Sequence, residues 1–308
     1  MRAPRAVVPL LAVTGATVVV VTAGAGAAIK GGSSGHSGPA SAADTASRPA
    51  VPVNVLTWNV CGNKSAHCPL GADPAKLAAT ISYTAQNATV DGTKARANVV
   101  FLQEVCSGHV KRLGGYGWLR SWSWAFAPAK QADGKPKTCA NGQGQFGVAL
   151  GSAQKLGNVT RTYLKSPKFE GRVAVCANVA SWSARLCTAH LSSGMKADDP
   201  TGAYRKVQTA RLKSLVGAGT GRVVLGGDFN DQPTKPALDV LYGAYRECDQ
   251  GTGVTHGGES THQNAKGKAW EKLDYIFTGK TATVSCDVPN SVVRSSDHRP
   301  VIAAITLR

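Results

Sequence analysis

The strongest fold signal in this sequence is the stretch Arg222-Val223-Val224-Leu225-Gly226-Gly227-Asp228-Phe229-Asn230. Its apolar run is too short for a helix and therefore predicts a buried strand. The two glycines break that strand into a turn, which carries a carboxylate, Asp228, and an amide, Asn230. The stretch predicts a core sheet with polar side chains at its edge.

The same pattern, an apolar run followed by polar residues, recurs along the chain. Val53 to Trp58 predicts a strand that ends at Asn59, and Asn98 to Leu102 predicts a buried strand that delivers Glu104 to its end. Strands dominate, few helices separate them, and no internal repeat has a fixed period. Further strands are predicted at Phe146 to Leu150, Val173 to Val179, Leu186 to Leu191, Leu273 to Phe277 and Val301 to Leu307.

Two amphipathic helices are predicted between the strands. The first follows Asp73 as N-cap and Pro74 in the first turn, and Leu77, Ile81 and Ala85 have helical spacing. Helices of this kind cover one face of a sheet. Along one side of the second helix lie Tyr204, Val207, Arg211 and Leu215.

The first 50 residues differ in composition from the rest. Two arginines precede an uncharged run from Ala6 to Ile29, which predicts a signal peptide over residues 1–30, with an uncleaved membrane anchor as the alternative. Residues 31–50 are rich in Gly, Ser, Ala and Pro and predict a flexible linker. Residues 51–308 lack a composition break and a second apolar stretch of spanning length. They predict one catalytic domain that is secreted and does not insert into the membrane after cleavage.

Eight cysteines predict disulfides, because an exported protein folds in an oxidising compartment and the sequence has no Cys-x-x-Cys spacing. Cys176 and Cys187 lie on two predicted strands joined by a short turn, which places them nearly opposite each other in a hairpin. A pair of Cys61 with Cys68 would close a short loop. Free buried thiols are the alternative. No pairing is predicted within the remaining set of Cys106, Cys139, Cys248 and Cys286.

The chain is strongly basic, with 35 Lys and Arg against 18 Asp and Glu and a net charge of +17. A polyanionic partner is the simplest explanation, since phosphate backbones are bound chiefly by Lys and Arg. The alternative is a generally basic surface without a specific partner.

Three aromatic residues, Trp122, Trp124 and Phe126, alternate with small residues close to Arg120. This spacing fits a platform on which nucleobases stack. It also fits one buried face of a strand, which we favour because aromatics with a period of two usually pack in a core.

Polar residues collect at or beside the ends of the predicted core strands, where a sheet would gather them at one rim. Hard oxygen ligands without paired thiols suit Mg²⁺, with Mn²⁺ or Ca²⁺ as alternatives, and two histidines can transfer protons near neutral pH. Zinc is disfavoured because His-x₃-His and His-Glu-x-x-His spacings do not occur. The set comprises Asn59, Glu104, His190, Asp228, Asn230, Asp274, Asp297 and His298.

Six short motifs contain these residues: Thr57-Trp58-Asn59-Val60, Leu102-Gln103-Glu104-Val105, Thr188-Ala189-His190-Leu191, Gly227-Asp228-Phe229-Asn230, Leu273-Asp274-Tyr275-Ile276 and Ser296-Asp297-His298. In kind and order they resemble the motifs of the endonuclease/exonuclease/phosphatase superfamily, which includes pancreatic deoxyribonuclease, across residues 51–308. The resemblance implies an α/β fold, a four-layer sandwich of two mainly antiparallel β-sheets packed face to face with helices outside. It also implies a metal-dependent hydrolase site at one end of the sheets.

The resemblance implies a role for each polar position. Glu104 resembles the main metal-binding carboxylate, with Asn59 beside it and Asp297 completing the shell. Asp228 and Asn230 match the pair that orients or deprotonates the attacking water and contacts the phosphate.

Two histidines complete the implied site. His298, held in one tautomer by Asp274, matches the histidine that acts as a base or stabilises the pentacovalent phosphorane. His190 matches the second histidine of the deoxyribonuclease-like members, the acid for the leaving oxygen. Arg172 is a candidate phosphate clamp, although a basic residue at a strand edge is more often simply solvated.

One departure narrows the function. Cys61 stands where abasic-site endonucleases of the superfamily carry an acidic residue, which disfavours a base-excision role, and His190 points to the two-histidine branch. We therefore expect a low-specificity endonuclease that cleaves DNA, or RNA, as a monomer without a protein partner. A lipid phosphodiesterase or phosphatase is the alternative and would need an exposed apolar loop, for which Trp118 to Phe126 is the candidate. A third alternative is an inactive module that docks onto a polyanion.

Overall fold

The computed structural model describes residues 48–65, 67–167, 170–217, 221–250 and 256–308. The predicted signal peptide, residues 1–30, and most of the predicted linker lie outside the described residues. The helices are α1 (Pro74–Gln86), α2 (Ser107–Leu113), α3 (Ala203–Val216) and α4 (Asp239–Ala244). The strands are β1 (Val51–Asn59), β2 (Thr89–Val90), β3 (Thr93–Lys94), β4 (Val99–Cys106), β5 (Ser123–Pro128), β6 (Phe146–Ser152), β7 (Gly157–Tyr163), β8 (Val173–Val179), β9 (Ala184–His190), β10 (Arg222–Asp228), β11 (Arg246–Glu247), β12 (His262–Gln263), β13 (Ala269–Glu271), β14 (Asp274–Thr278), β15 (Thr283–Asp287) and β16 (Val301–Leu307).

Two six-stranded sheets have the same layout. The first has the order β15-β16-β1-β4-β6-β5 and the second the order β11-β14-β10-β9-β8-β7. In each sheet the central pair is parallel, β1 with β4 and β9 with β10, and the flanking pairs are antiparallel. Parallel strands end at the same edge, so each sheet directs two strand ends to one rim.

The sheets pack face to face, with helices outside them. Between the sheets lies an apolar layer that includes Val55 and Phe101 from the first sheet and Val175 and Ile276 from the second. Helices α1 and α2 pack on the outer face of the first sheet, and α3 and α4 on that of the second. This is the expected four-layer α/β sandwich.

Helix α1 has the predicted start and the predicted buried side. The carboxylate of Asp73 accepts a hydrogen bond from the Lys76 amide, and Pro74 occupies the first turn. Leu77, Ile81 and Ala85 are buried. No helix in the described ranges combines the length and apolarity needed to cross a bilayer.

The buried side of α3 differs from the predicted one. Val207 is 46% exposed, whereas Arg205, Gln208 and Thr209 are buried with Leu212. The inner side of this helix is polar because it donates hydrogen bonds to backbone carbonyls of neighbouring segments, such as that of Lys165. The side of α3 that was predicted from the apolar spacing is therefore not the buried side.

Two of the three alternating aromatics lie on one face of a strand, as favoured, but that face is not the fully buried one. Trp124 and Phe126 lie on β5 and, with Trp122, pack on the outer core of the first sheet. They are only half-buried, and the fully buried side of β5 carries Ala125 and Ala127.

All eight cysteines are paired in disulfides. Both pairs predicted individually, Cys61–Cys68 and Cys176–Cys187, are present. The other four cysteines form Cys106–Cys139 and Cys248–Cys286.

Gly226 and Gly227 lie within β10 and do not form the predicted turn, and the close packing of β10 on β9 requires glycine at position 227. The φ of Gly227 is +150°, and a Cβ atom there would lie 2.1 Å from the carbonyl oxygen of Ala189 on β9. We expect Gly227→Ala to lower the free energy of unfolding by about 2–4 kcal/mol through strain and overpacking. Urea denaturation measures this value. Gly243→Ala is the matched control, since no atom lies within 4 Å of its Cβ and it should gain about 0.5–1 kcal/mol in helix α4; equal values for the two variants would contradict the explanation.

Candidate active site

The polar residues predicted from the strand ends meet at one rim of the two sheets. Strands β1, β4, β9 and β10 end there, while β14 and β16 run in the opposite direction and begin there. The turn before β16 therefore joins the same rim as the ends of the central strands. Contacts and charge interactions connect all eight residues of the predicted set.

Asp228 lies at the centre of the cluster and is 1% exposed. The strand register pairs it with His190 on β9 and with Asp274 on β14. Its Oδ2 accepts a hydrogen bond of 2.9 Å from Asn59 Nδ2, and His190 Nε2 and His298 Nε2 lie 3.4 and 3.8 Å from the same oxygen. Burial raises the pKa of Asp228 to about 7, although the charge of His298 acts in the opposite direction.

Two hydrogen bonds orient His298, one at its ring and one at its backbone carbonyl. Its Nδ1 lies 2.7 Å from Asp274 Oδ2, and its carbonyl oxygen accepts a hydrogen bond of 2.9 Å from Trp58 Nε1. Burial opposes its positive charge, but the carboxylates of Asp274 and Asp228 outweigh burial and raise the pKa of His298 to about 10. The ring is therefore an imidazolium at neutral pH, with Nε2 directed to Asp228.

His190 differs from His298 because its surroundings disfavour the positive charge. Arg172 Nη1 lies 3.3 Å from each nitrogen of its ring, and Asn230 Nδ2 lies 3.0 Å from Nε2. Burial first, and then the charge of Arg172, hold the pKa of His190 well below its usual range. Asn230 Nδ2 also donates to the Leu191 carbonyl oxygen at 3.1 Å.

Glu104 reaches the rim through a β-bulge. The register between β4 and β6 shifts between Leu102 and Val105, and Glu104 has a φ of +52°. A bulge of this kind redirects a side chain, and positive φ at a residue other than glycine marks a position held by its surroundings. Asn59 Nδ2 donates to Glu104 Oε1 at 3.1 Å, so one amide links this carboxylate to Asp228.

The carboxylates near Glu104 fit a divalent cation. Burial raises the pKa of Glu104, and the negative charges of Asp297 and Glu170 raise it further, since a nearby like charge disfavours the ionised form. Glu104 and Asp297 are half-buried and supply hard oxygen donors suited to Mg²⁺ or Ca²⁺. Asn59 Oδ1 accepts a hydrogen bond from the Cys61 amide, so Asn59 orients Glu104 through Nδ2.

Arg172 is bound to two carboxylates that the sequence did not single out. Its guanidinium lies 2.8 Å from Glu170 Oε1 and 2.6 Å from Asp198 Oδ2, and its side chain is 5% exposed. Since Nη1 also contacts His190, Arg172 orients that ring. Neither carboxylate follows a predicted strand, so the pattern of strand ends gave no signal for them.

The sequence also gave no prediction for His262, which lies beside His298. The centroid of its ring lies 4.9 Å from that of the His298 ring, and the two residues form an isolated antiparallel β-bridge. Trp270 Nε1 donates to His262 Nδ1 at 3.0 Å. The two-residue strand β12 carries His262, and so short a strand has no hydrophobic period that would reveal it.

Removing the charge of Arg172 should destabilise the protein. Arg172→Gln leaves the buried carboxylate of Asp198 without its cation, while Glu170 keeps its ion pair with Lys137, and breaking a buried pair in this way typically costs about 3–5 kcal/mol. The free energy of unfolding, measured in urea by circular dichroism, should fall by that amount. Lys135→Gln is the control, because Lys135 and Asp133 form an exposed pair at 3.4 Å that contributes at most about 1 kcal/mol. A loss for Arg172→Gln no larger than the control's would contradict the assigned ion pairs.

Comparisons with known proteins agree with this geometry. The model of the endonuclease/exonuclease/phosphatase family matches residues 56–298. No curated protein matches the sequence. Among solved structures, the human Nocturnin catalytic domain with bound sulfate is 18% identical, with 85% of this chain and 97% of that chain covered and a TM-score of 0.56.

Two further structures are similar in fold. The mannosyl-6-phosphatase Bt3783 of Bacteroides thetaiotaomicron is 16% identical, covering 82% of this chain and 99% of that chain with a TM-score of 0.57. D. rerio TDP2 in complex with a single-strand DNA product is 17% identical, covering 83% of this chain and 99% of that chain with a TM-score of 0.54. One of these proteins is a phosphatase and another was solved with a DNA product, so the shared fold alone does not select a substrate.

Proposed function

Because the chain belongs to the endonuclease/exonuclease/phosphatase family of metal-dependent phosphoesterases, we propose that it is a secreted nuclease that hydrolyses DNA, or RNA, with little sequence preference. The observation that carries the proposal is the pair of histidines whose Nε2 atoms lie 3.4 and 3.8 Å from Asp228 Oδ2. A phosphodiester needs both an activated water and a protonated leaving oxygen. Two proton-transfer groups beside one carboxylate supply both.

The charge of the chain supports a nucleic acid substrate. A net charge of +17 favours a polyanion, since phosphates release counterions when Lys and Arg bind them. The aromatic segment considered for membrane contact, Trp118 to Phe126, has its tryptophans at 122 and 124 packed on the core. Its packing favours nucleic acid over a lipid surface.

In the proposed mechanism, Asp228 accepts the proton of the attacking water. A carboxylate with a pKa of about 7 is suited to accept a proton at neutral pH. Asn59 Nδ2 and the Asn230 amide fix its two oxygens, with hydrogen bonds of 2.9 Å each. The Asn230 side chain then contacts a phosphate oxygen.

The two histidines act on the phosphate and on the leaving oxygen. His298, positive at neutral pH, stabilises the charge that develops on the phosphorane, so its charge state favours stabilisation over the role of base. His190 transfers a proton to the leaving oxygen. The incoming phosphate anion opposes the charge of Arg172 and raises the pKa of His190, which lets that ring carry the proton. A bound divalent cation, held by Glu104 and Asp297, would neutralise charge on the non-bridging oxygens.

The proposal is tested by incubating the purified protein with supercoiled plasmid and, separately, with sphingomyelin vesicles, each with Mg²⁺ and with EDTA. Nicking of the plasmid that needs the metal supports the nuclease. An intact plasmid with released phosphocholine would replace it by a lipid phosphodiesterase. Absence of hydrolysis in both, with retained plasmid binding, would indicate a docking module.

A further inference from the structure

The backbone of Glu104 depends on one neighbouring loop. Its carbonyl oxygen accepts a hydrogen bond of 2.8 Å from the Gly62 amide. Gly62 has no room for a side chain, because a Cβ atom there would lie 2.8 Å from that oxygen. The bulged, positive-φ conformation of Glu104 is therefore supported by close contact with the segment that follows β1.

Disulfides hold both sides of this contact. Cys61–Cys68 closes the loop that contains Gly62, and Cys106, two residues after Glu104, is bonded to Cys139. Together these two disulfides and the residues they hold form what we call the Glu104 clamp, comprising residues 61–63, 68–71, 104–106 and 139–141.

Asn141 joins the two disulfide-bonded segments. Its Nδ2 donates to the carbonyl oxygens of Gly62 at 2.9 Å and of Gly71 at 2.7 Å. The amide of Ala140 donates to Asn63 Oδ1 at 2.8 Å. The segments therefore support each other through hydrogen bonds as well as through Glu104.

The clamp also sets the side chain of Glu104. The Cys61 amide donates to Asn59 Oδ1 at 3.1 Å, which turns Asn59 Nδ2 towards Glu104 Oε1. The sulfur atoms of Cys61 and Cys68 and a carboxylate oxygen of Glu104 all lie within 4.8 Å of one another. A change in this loop would move both the carboxylate and the amide that orients it.

We propose that the disulfides of the Glu104 clamp, with Asn141, are positioning residues for the metal-binding carboxylate, so that the divalent-metal site reaches full affinity only in the oxidised protein. The inference rests on the proposed function, in which Glu104 holds the metal. A dithiol reductant would lower this affinity by reducing Cys61–Cys68. The S–S bond gains two electrons and two protons and becomes two thiols, and the dithiol is oxidised to a disulfide.

The test is the affinity for Mn²⁺, measured by isothermal titration calorimetry on the whole protein below its unfolding temperature. We expect Cys61→Ala/Cys68→Ala to bind Mn²⁺ about 10- to 100-fold more weakly, the usual effect of losing support around a metal ligand. The matched control is Cys176→Ala/Cys187→Ala, whose sequence separation of 11 is close to the 7 of Cys61–Cys68 and which joins two strands of the other sheet. The control should bind Mn²⁺ as the unmodified protein does.

Two more variants keep the test decisive. Asn141→Ala retains all four disulfides and should also weaken Mn²⁺ binding, even if the double cysteine variant fails to fold. Glu104→Gln tests the premise, because it should abolish this binding. If Glu104→Gln binds Mn²⁺ normally, the assignment of Glu104 as a metal ligand in the proposed function is wrong. If Glu104→Gln loses binding while the clamp variants retain it, the clamp inference is wrong. The clamp inference is also wrong if the Cys176→Ala/Cys187→Ala control loses as much affinity as the clamp variants.

Discussion

Substituting His298 by alanine should lower kcat/KM for DNA by about 10³- to 10⁴-fold, the upper part of the range for a positioned proton-transfer or charge-stabilising group. The reason is its environment: Nδ1 lies 2.7 Å from Asp274, and Nε2 faces the reacting side of the rim near Asp228. Alanine removes a positive charge from a buried position that nothing else fills. Initial rates on plasmid at saturating Mg²⁺ measure the loss.

Asp274→Asn is the companion to that experiment. It keeps the hydrogen-bonding shape but removes the charge that helps raise the pKa of His298 to about 10. The pKa of His298 then falls, so its imidazolium is lost at a lower pH and the alkaline decline of activity should move to lower pH. Retention of normal activity in His298→Ala would remove this residue from the mechanism.

His190→Ala should lower kcat/KM on DNA by about 10²- to 10³-fold through loss of the proton delivered to the leaving oxygen. The size of the loss should depend on the leaving group. An alkoxide needs that proton, whereas p-nitrophenolate leaves without it. The p-nitrophenyl ester of thymidine 5′-phosphate should therefore be hydrolysed by the variant at nearly the normal rate, while a dinucleotide is not.

The difference between the rate losses on the two substrates decides the role of His190. An equal loss on both would show that His190 positions Asn230, whose Nδ2 lies 3.0 Å from His190 Nε2, and donates no proton. The total loss in His190→Ala/His298→Ala should be smaller than the product of the single losses, because both histidines act on one phosphate.

The sequence predicted the strands well because each core strand is a run of apolar residues with a polar end. Val173–Val179 and Val301–Leu307 have the predicted bounds. The central parallel pairs then place the polar ends together, as at Asp228 beside His190. The location of the rim could therefore be predicted from the polar strand ends, whereas the four-layer sandwich was predicted from the resemblance of the motifs to the endonuclease/exonuclease/phosphatase superfamily.

Side-chain partners from loops could not be predicted in this way. Glu170 and Asp198 hold Arg172 from segments outside the strands, and neither lies in a stretch with a hydrophobic period. The inner side of α3 was misidentified because Arg205 and Gln208 are buried by hydrogen bonds that only the folded chain provides. The bulge at Glu104 is likewise set by contact with Gly62, a residue on another segment.

The pairing of β16 with β1 has a consequence for when activity can arise during biosynthesis. Seven residue pairs join these strands, from Val51 with Leu307 to Thr57 with Val301. His298 lies just before β16, so it reaches Asp274 only once this last strand has been synthesised and has paired with the first. Pairing between segments so distant in the chain is slow relative to local folding. A polypeptide in which β16 has not yet paired with β1 would therefore hold an unfinished rim.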